Sequence, residues 1–235
     1  FMLDNCTDGT YEFLMDNREK YNIHSVLQTG LDENEFRQEH TVRETLFKEA
    51  RKFSSKITCL DTDEYFDGVW DKKFLHGVLD GNPDVCIFTN WLQYVDRDNV
   101  RVVGPWDNAM QDRLCNYTGD VAFKEKQRHA EHMPREGLET DQVKPPNFFI
   151  SHLQWLDKPT VALKQYYWKV TDYVNNLKSG CDIAKVTDYD ESVNDFKWET
   201  AKIPIPLKVS PEIYKKVNLE ETYKYKEVKR LIKEY

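Results

Sequence analysis

Apolar and polar positions in the first third of the chain switch between a period of two and a period of about 3.6. The opening run "FMLD", Phe1 to Asp4, reads as a short strand, and "NCTDGT" after it holds the Asn, Asp and Gly of a turn and helix start. Tyr11, Leu14 and Met15 fall at helical spacing and predict a helix over Thr10 to Tyr21, with a return to strand from Ile23 to Gln28. From Glu33 to Phe53, Val42, Leu46, Ala50 and Phe53 share one stripe, while Arg37, Glu39, Arg43, Glu44 and Lys48 fall elsewhere, the pattern of an amphipathic helix. Next comes the apolar "KITCL", and directly behind it three acids in four residues, Asp61, Asp63 and Glu64.

The order β-α-β-α-β with short connections predicts a parallel sheet covered by helices. In such sheets ligands sit beyond the carboxyl ends of the strands, so Asp61 to Glu64 are expected on the ligand-binding rim.

Further along, "VCIFTNWLQYV", "VRVVGPW" and "RLCNYTGDVAF" between Val85 and Phe123 read as strands that can add to the sheet antiparallel. Lys124 to Pro146 is polar and rich in breakers, a long loop of the kind that serves as a lid or mobile segment. "FFISHLQW", Phe148 to Trp155, predicts another strand. Pro159 to Leu177 predicts a helix opened by proline and closed by Gly180, and Glu220 to Lys233 a charged last helix. We expect one main domain over 1–180, with 181–235 as an extension packed on it. The abrupt start in "FMLDN" reads as the middle of a strand, and a segment before Phe1 is expected.

Composition narrows this picture. With 40% hydrophobic and 13% aromatic residues in 235, the chain can bury a substantial core. A net charge of −8 argues against a broad nucleic-acid-coating surface, which needs clustered Lys and Arg. The five cysteines, Cys6, Cys59, Cys86, Cys115 and Cys181, are odd in number and lack a C-x-x-C pair, so they predict reduced thiols and a cytoplasmic location. Two N-x-T sequons, at Asn5 and Asn116, leave a secretory lumen open. No apolar run approaches the roughly 20 residues that cross a bilayer.

Two carboxylates at i and i+2 behind a strand can converge on one hard cation, Mn2+ or Mg2+, whose remaining ligands come from water and substrate phosphates. An isolated D-x-D also fits a solvated turn with capping acids. Its place behind an apolar strand, and a second acidic turn at Asp4 to Asp8, favour the site.

These residues carry a resemblance. "FMLDNCTDGTYEFL" is similar to the "DNxSxDGT" segment of nucleotide-sugar glycosyltransferases with the GT-A fold, and "ITCLDTDEYF" to their "(V/I)xxxDxDEF" segment. "ISHLQWLDKPTVALKQYYW" resembles the "HxxxKSxxxxxxK" region of glycosyltransferase family 2-like and family 92-like enzymes. The resemblance implies an α/β fold with a GT-A (Rossmann-like), mainly parallel central sheet flanked by helices and followed by a C-terminal helical extension. It implies a nucleoside-diphosphate sugar donor, a UDP-sugar above all, lying across the strand ends. Asp4 would meet the nucleobase, Asp61 the ribose or sugar, and Asp63 the divalent metal, with His152 completing the metal shell. Family 2-like enzymes place the base for the acceptor hydroxyl between the D-x-D and the last motif. The candidates there are Asp107, Glu136, Glu139 and Asp141, of which "GLETD" matches best.

Other candidates have plain alternatives. Lys164 matches the late motif and would neutralise departing diphosphate, with Lys158 and Lys169 nearby; all three also fit the polar face of a helix. Arg43 is placed to touch phosphate or to be an exposed helix charge. Trp91, Trp106 and Trp155 offer a platform for a sugar ring, Trp155 being nearest His152, and equally fit a core. His129 and His132 sit three apart in the polar loop, which can carry them toward the acids. The expectation is metal-dependent, inverting transfer of a sugar to an acceptor hydroxyl on a glycan, protein, lipid or nucleic acid. The alternatives are a metal-dependent nucleotidyl or phosphoryl transferase, and a non-catalytic sugar-binding module on the same scaffold.

Overall fold

The apolar run before the acid cluster forms a short edge strand whose sheet neighbour comes from far along the chain. In the computed structural model, which describes residues 1–3, 6, 8–29, 39–68, 70–102, 109–120, 122–124, 130–134, 148–179, 200–202 and 218–234, two compact units are distinguished. The first comprises Phe1–Trp91 and Asn108–Ser151, the second Leu92–Asp107 and His152–Tyr235.

The first unit opens as predicted, with β1 (Met2–Leu3), α1 (Thr10–Asp16) and β2 (Leu27–Gln28), the two strands pairing parallel with Met2 opposite Leu27. Gly9 reaches φ 82° at the start of α1, a left-handed conformation that glycine adopts without strain. Leu3, Leu14 and Ile23 close a small core beneath this crossover. α1 is shorter than its periodicity predicts, because Asn17 caps it and donates its side-chain amide back to the Phe13 carbonyl.

α2 (Glu39–Arg51) follows, then β3 (Lys56–Thr58), β4 (Glu64–Gly68), α3 (Lys72–Asp80), β5 (Cys86–Gln93), β6 (Asn99–Arg101), β7 (Met110–Asn116) and β8 (Phe148–His152). A five-stranded sheet runs in the order β3-β7-β5-β8-β4. β7 is antiparallel to both β3 and β5. This differs from one mainly parallel sheet: β3 joins β7 rather than the β1–β2 pair. The physical reason is that Ile57 finds its core partner in Cys115, directly opposite it on β7, a long-range match that periodicity cannot encode.

Alternation along the strands puts one set of side chains on each face. Ile57, Cys86 and Cys115 pack with Phe47 of α2, while Ile87, Leu114 and Phe148 pack with Leu79, Phe74 and Val78 of α3. The sheet is therefore covered on both sides, the α/β layering expected. The predicted stripe of α2 is shifted, since Phe47 is its buried residue and Phe53 lies beyond the helix end, stacked on His24.

α3 is not evident from periodicity, although Asp71 announces it by accepting a 2.7 Å hydrogen bond from the Phe74 amide. Asp71→Ala is expected to lower the unfolding free energy by about 1 kcal/mol in urea titration. No loss would mean that the cap contributes nothing.

In the second unit β6 pairs antiparallel with β9 (Thr200–Lys202), and α4 (Lys158–Ser179) packs on α5 (Tyr223–Glu234). Val161 and Val174 of α4 and Val228 and Leu231 of α5 are buried. The strand predicted through Trp155 ends at His152, where Gln154–Leu156 turn as a 3-10 helix. Among the described residues no helix is long and apolar enough to cross a membrane.

Candidate functional site around Asp61

The acids behind β3 do not stand as a bare knot of charge. The turn closes on itself: the Glu64 amide donates to the Asp61 carbonyl at 3.0 Å, and the Glu64 carboxylate accepts the Asp61 amide, also at 3.0 Å. Glu64 thus braces the turn from inside. Its remaining acceptor capacity is taken by Trp91 Nε1 at 2.8 Å and by a bidentate grip from Arg113, at 2.8 and 2.6 Å. The side chains of Arg113 and Glu64 are 1% and 0% exposed. A fully desolvated carboxylate of this kind is stable only because its partners Arg113, Trp91 and the Asp61 amide are in place.

Arg113 does not stand out in the sequence, and its place in the fold explains why. Ile87 pairs with Leu114 and Phe88 with Asp112, so Arg113 is the extra residue of a β-bulge on β7. A bulge re-aims one side chain out of the strand's alternation, and here it delivers a guanidinium to Glu64 on β4. The available signal is a single arginine at the head of an otherwise strand-like run, "RLCNY".

Asp61 is held from two sides. Arg43, projecting from α2, donates to Oδ1 at 2.8 Å, and His132 Nε2 lies 3.1 Å from Oδ2, with Arg113 3.8 Å from the same oxygen. Burial works to raise the Asp61 carboxyl, but the His132 hydrogen bond and the Arg43 and Arg113 charges outweigh it and hold the acid well below the usual carboxylate range. A carboxylate only accepts, so His132 carries its proton on Nε2. Burial, reinforced by the two arginines, lowers His132 below its ordinary value despite Asp61, which keeps the ring neutral at pH 7. The neighbouring Met133 amide donates to Asp112, which ties this stretch of the polar loop to β7.

The Asp61 side chain remains 37% exposed while that of Arg43 is 10% exposed, so the carboxylate has an open edge over a buried cationic floor. Among the described residues, Arg43 Nε and Arg113 Nη1 are buried without a hydrogen-bond partner. Leaving a buried donor unpaired costs about 1–3 kcal/mol unless a water or a ligand meets it.

Asp63 is partly buried at the middle of the same turn. His152 belongs to the second unit, buried on β8, with Nδ1 2.7 Å from Gln93 Oε1. With that amide oxygen toward the ring, the proton sits on Nδ1 and the lone pair on Nε2, the tautomer that suits a metal ligand. Among the described residues, however, no three His, Cys, Asp or Glu side chains come together as a metal-binding group. Both Asp61 oxygens are engaged, Oδ1 by Arg43 and Oδ2 by His132. The Arg43 guanidinium meets the Asp61 charge, and the neutral His132 ring adds a hydrogen bond to it.

Of the other candidates, Lys164 Nζ lies 3.3 Å from Gln154 Oε1 and 5.0 Å over the Trp168 ring. Trp155 is buried, with the Arg101 guanidinium 5.1 Å above its ring. Trp91 braces Glu64. Asp4, Trp106, Asp107, His129, Glu136, Glu139 and Asp141 lie outside the described residues. A cleft of about 300 Å³ beside Tyr21, His24, Leu46 and Phe53 is lined by none of the predicted site residues.

Comparison with family models, with curated proteins and with solved structures returns no match.

Proposed function

We propose that this chain is a GT-A type glycosyltransferase that moves a sugar from a nucleoside-diphosphate donor, a UDP-sugar, to an acceptor hydroxyl. The carrying observation is the locked acidic turn: Asp61 kept ionised by Arg43 and His132, partly open to solvent, and seated on Glu64 and Arg113. A carboxylate fixed in this way is ready to accept the hydroxyls of a ribose or sugar without reorganising. The two unpaired buried guanidinium donors support an anionic ligand over a purely structural knot. Inversion, and a base drawn from Glu136, Glu139 or Asp141, rest on the family 2 resemblance. Asp63 is the residue through which Mn2+ or Mg2+ would act, by offsetting the charge of the leaving diphosphate.

A non-catalytic sugar-binding module is the second reading, favoured by the fact that the protein itself already neutralises Asp61. The two separate in a thermal-shift panel of nucleotide sugars with and without Mn2+, on wild type and on Asp63→Asn. Transfer predicts stabilisation by a UDP-sugar that requires the cation and is lost in Asp63→Asn. At about 100-fold excess over Kd the shift corresponds to about 2.7 kcal/mol. If no nucleotide sugar raises the melting temperature in either condition, the transferase reading fails. A cation-independent shift that survives Asp63→Asn favours the binding module.

A further inference from the structure

We propose that Cys86 and Cys115 form an oxidation site, a buried dithiol that a small peroxide closes to a disulfide across β5 and β7. The two residues are far apart in sequence and directly opposite in the sheet, and both are present as thiols.

The pairing phase makes the geometry favourable. On the β3 side, the Tyr117 amide donates to the Ser55 carbonyl and the Cys59 amide to the Arg113 carbonyl. Ile57 and Cys115 lie midway between these two pairs, so they are in the hydrogen-bonded phase, and both backbone groups of Cys115 point toward β3. Asn116 points the other way, its carbonyl accepting the Asp84 amide at 2.7 Å. Toward β5, therefore, Cys115 faces Cys86 as a non-hydrogen-bonded pair, the closer of the two kinds, with Cα atoms about 4.5 Å apart. That lies within the range of roughly 4.4–6.8 Å that a disulfide spans. Both side chains join one core cluster, so they lie on the same face.

In the reaction one thiolate attacks a peroxide oxygen, cleaving the O–O bond to give a sulfenic acid and hydroxide, which takes a proton from solvent to leave as water. The second thiolate then attacks that sulfur, forming S–S and expelling hydroxide, which takes a proton to leave as a second water. Two electrons pass from the two sulfurs to one hydrogen peroxide. Burial pushes the Cys115 thiol up to about 12, so the pair is slow to react at neutral pH and closes under sustained oxidant or at raised pH. The link would fix β5 to β7 immediately beside the bulge that carries Arg113, and so would stiffen the floor of the Asp61 site.

The test treats folded wild-type protein with hydrogen peroxide at pH 7 and pH 9, alkylates the remaining thiols after denaturation, and maps peptides by mass spectrometry. The expected product is a Cys86–Cys115 peptide that dithiothreitol reverses. It should form roughly tenfold faster per pH unit, as thiolate becomes available, and should disappear in Cys115→Ser. The oxidised protein should melt at a higher temperature, since the link constrains the unfolded chain. If Cys86 and Cys115 both stay alkylatable while Cys6 or Cys59 is oxidised, or if either pairs with a different cysteine, the proposal is overturned. The wild-type peptide map decides this even where the serine variant does not fold.

Discussion

Arg113→Leu is expected to lower the unfolding free energy by about 3–5 kcal/mol, a large part of the stability of a domain this size. The cost comes chiefly from the charge stranded on Glu64. That side chain is fully buried, and without Arg113 the Trp91 indole and the Asp61 amide are its remaining donors among the described residues. Urea titration of the single variant and of Arg113→Met with Glu64→Gln checks this explanation. The double variant should recover much of the stability, because removing both charges is far cheaper than stranding one. A single-variant cost below about 1 kcal/mol would show that the pair does not hold the turn.

Acidification should destabilise the fold in two stages, both through Asp61 and its partner. His132 has a folded pKa below its reference of 6.5, so the unfolded chain takes up a proton that the folded protein refuses. Its contribution is complete above pH 6.5 and is lost as pH falls from there through the folded value. Asp61 is also depressed from its reference of 3.8, so its contribution is present above that value and drains away further down the acid range. Chemical denaturation from pH 8 down to about pH 2 should show stability falling first in the His132 window and then, below 3.8, in the upper part of the Asp61 window. His132→Gln should remove the upper one, keeping a donor to Asp61 without a titrating ring. A profile flat between pH 7 and pH 5 in wild type would refute the assignment of a neutral, buried His132.

Much of the local structure is legible in the residues. The parallel β1–β2 crossover follows from the apolar run, the Gly9 turn and the spacing of Leu14. α2, β5 and β8 fall inside the stretches that period and composition mark out, α4 overruns its stretch slightly at both ends, and β7 starts at Met110, ahead of the run that begins at Arg113. The acid cluster is also visible, whereas only the structure separates Glu64 from its neighbours as the residue that begins β4. Asp61 stands out as a site residue, and His132 as a loop histidine that folding can carry toward the acids. The structure does bring those two together.

What stays hidden are pairings between distant strands. Nothing local says that β3 should run against β7, that β7 should carry a bulge at Arg113, or that Cys86 and Cys115 should face one another. Periodicity reports which face of an element is apolar, because that depends on side chains a few residues apart. Register depends on which side chains, far apart in sequence, fill the same volume, and only the packed sheet settles it. By itself the sequence determined an α/β chain with acids at a strand end. The tertiary structure decided that Asp61 meets Arg43, Arg113 and His132 and that Glu64 meets Arg113, because a buried carboxylate persists only where folding brings the opposite charge or a hydrogen-bond donor to it.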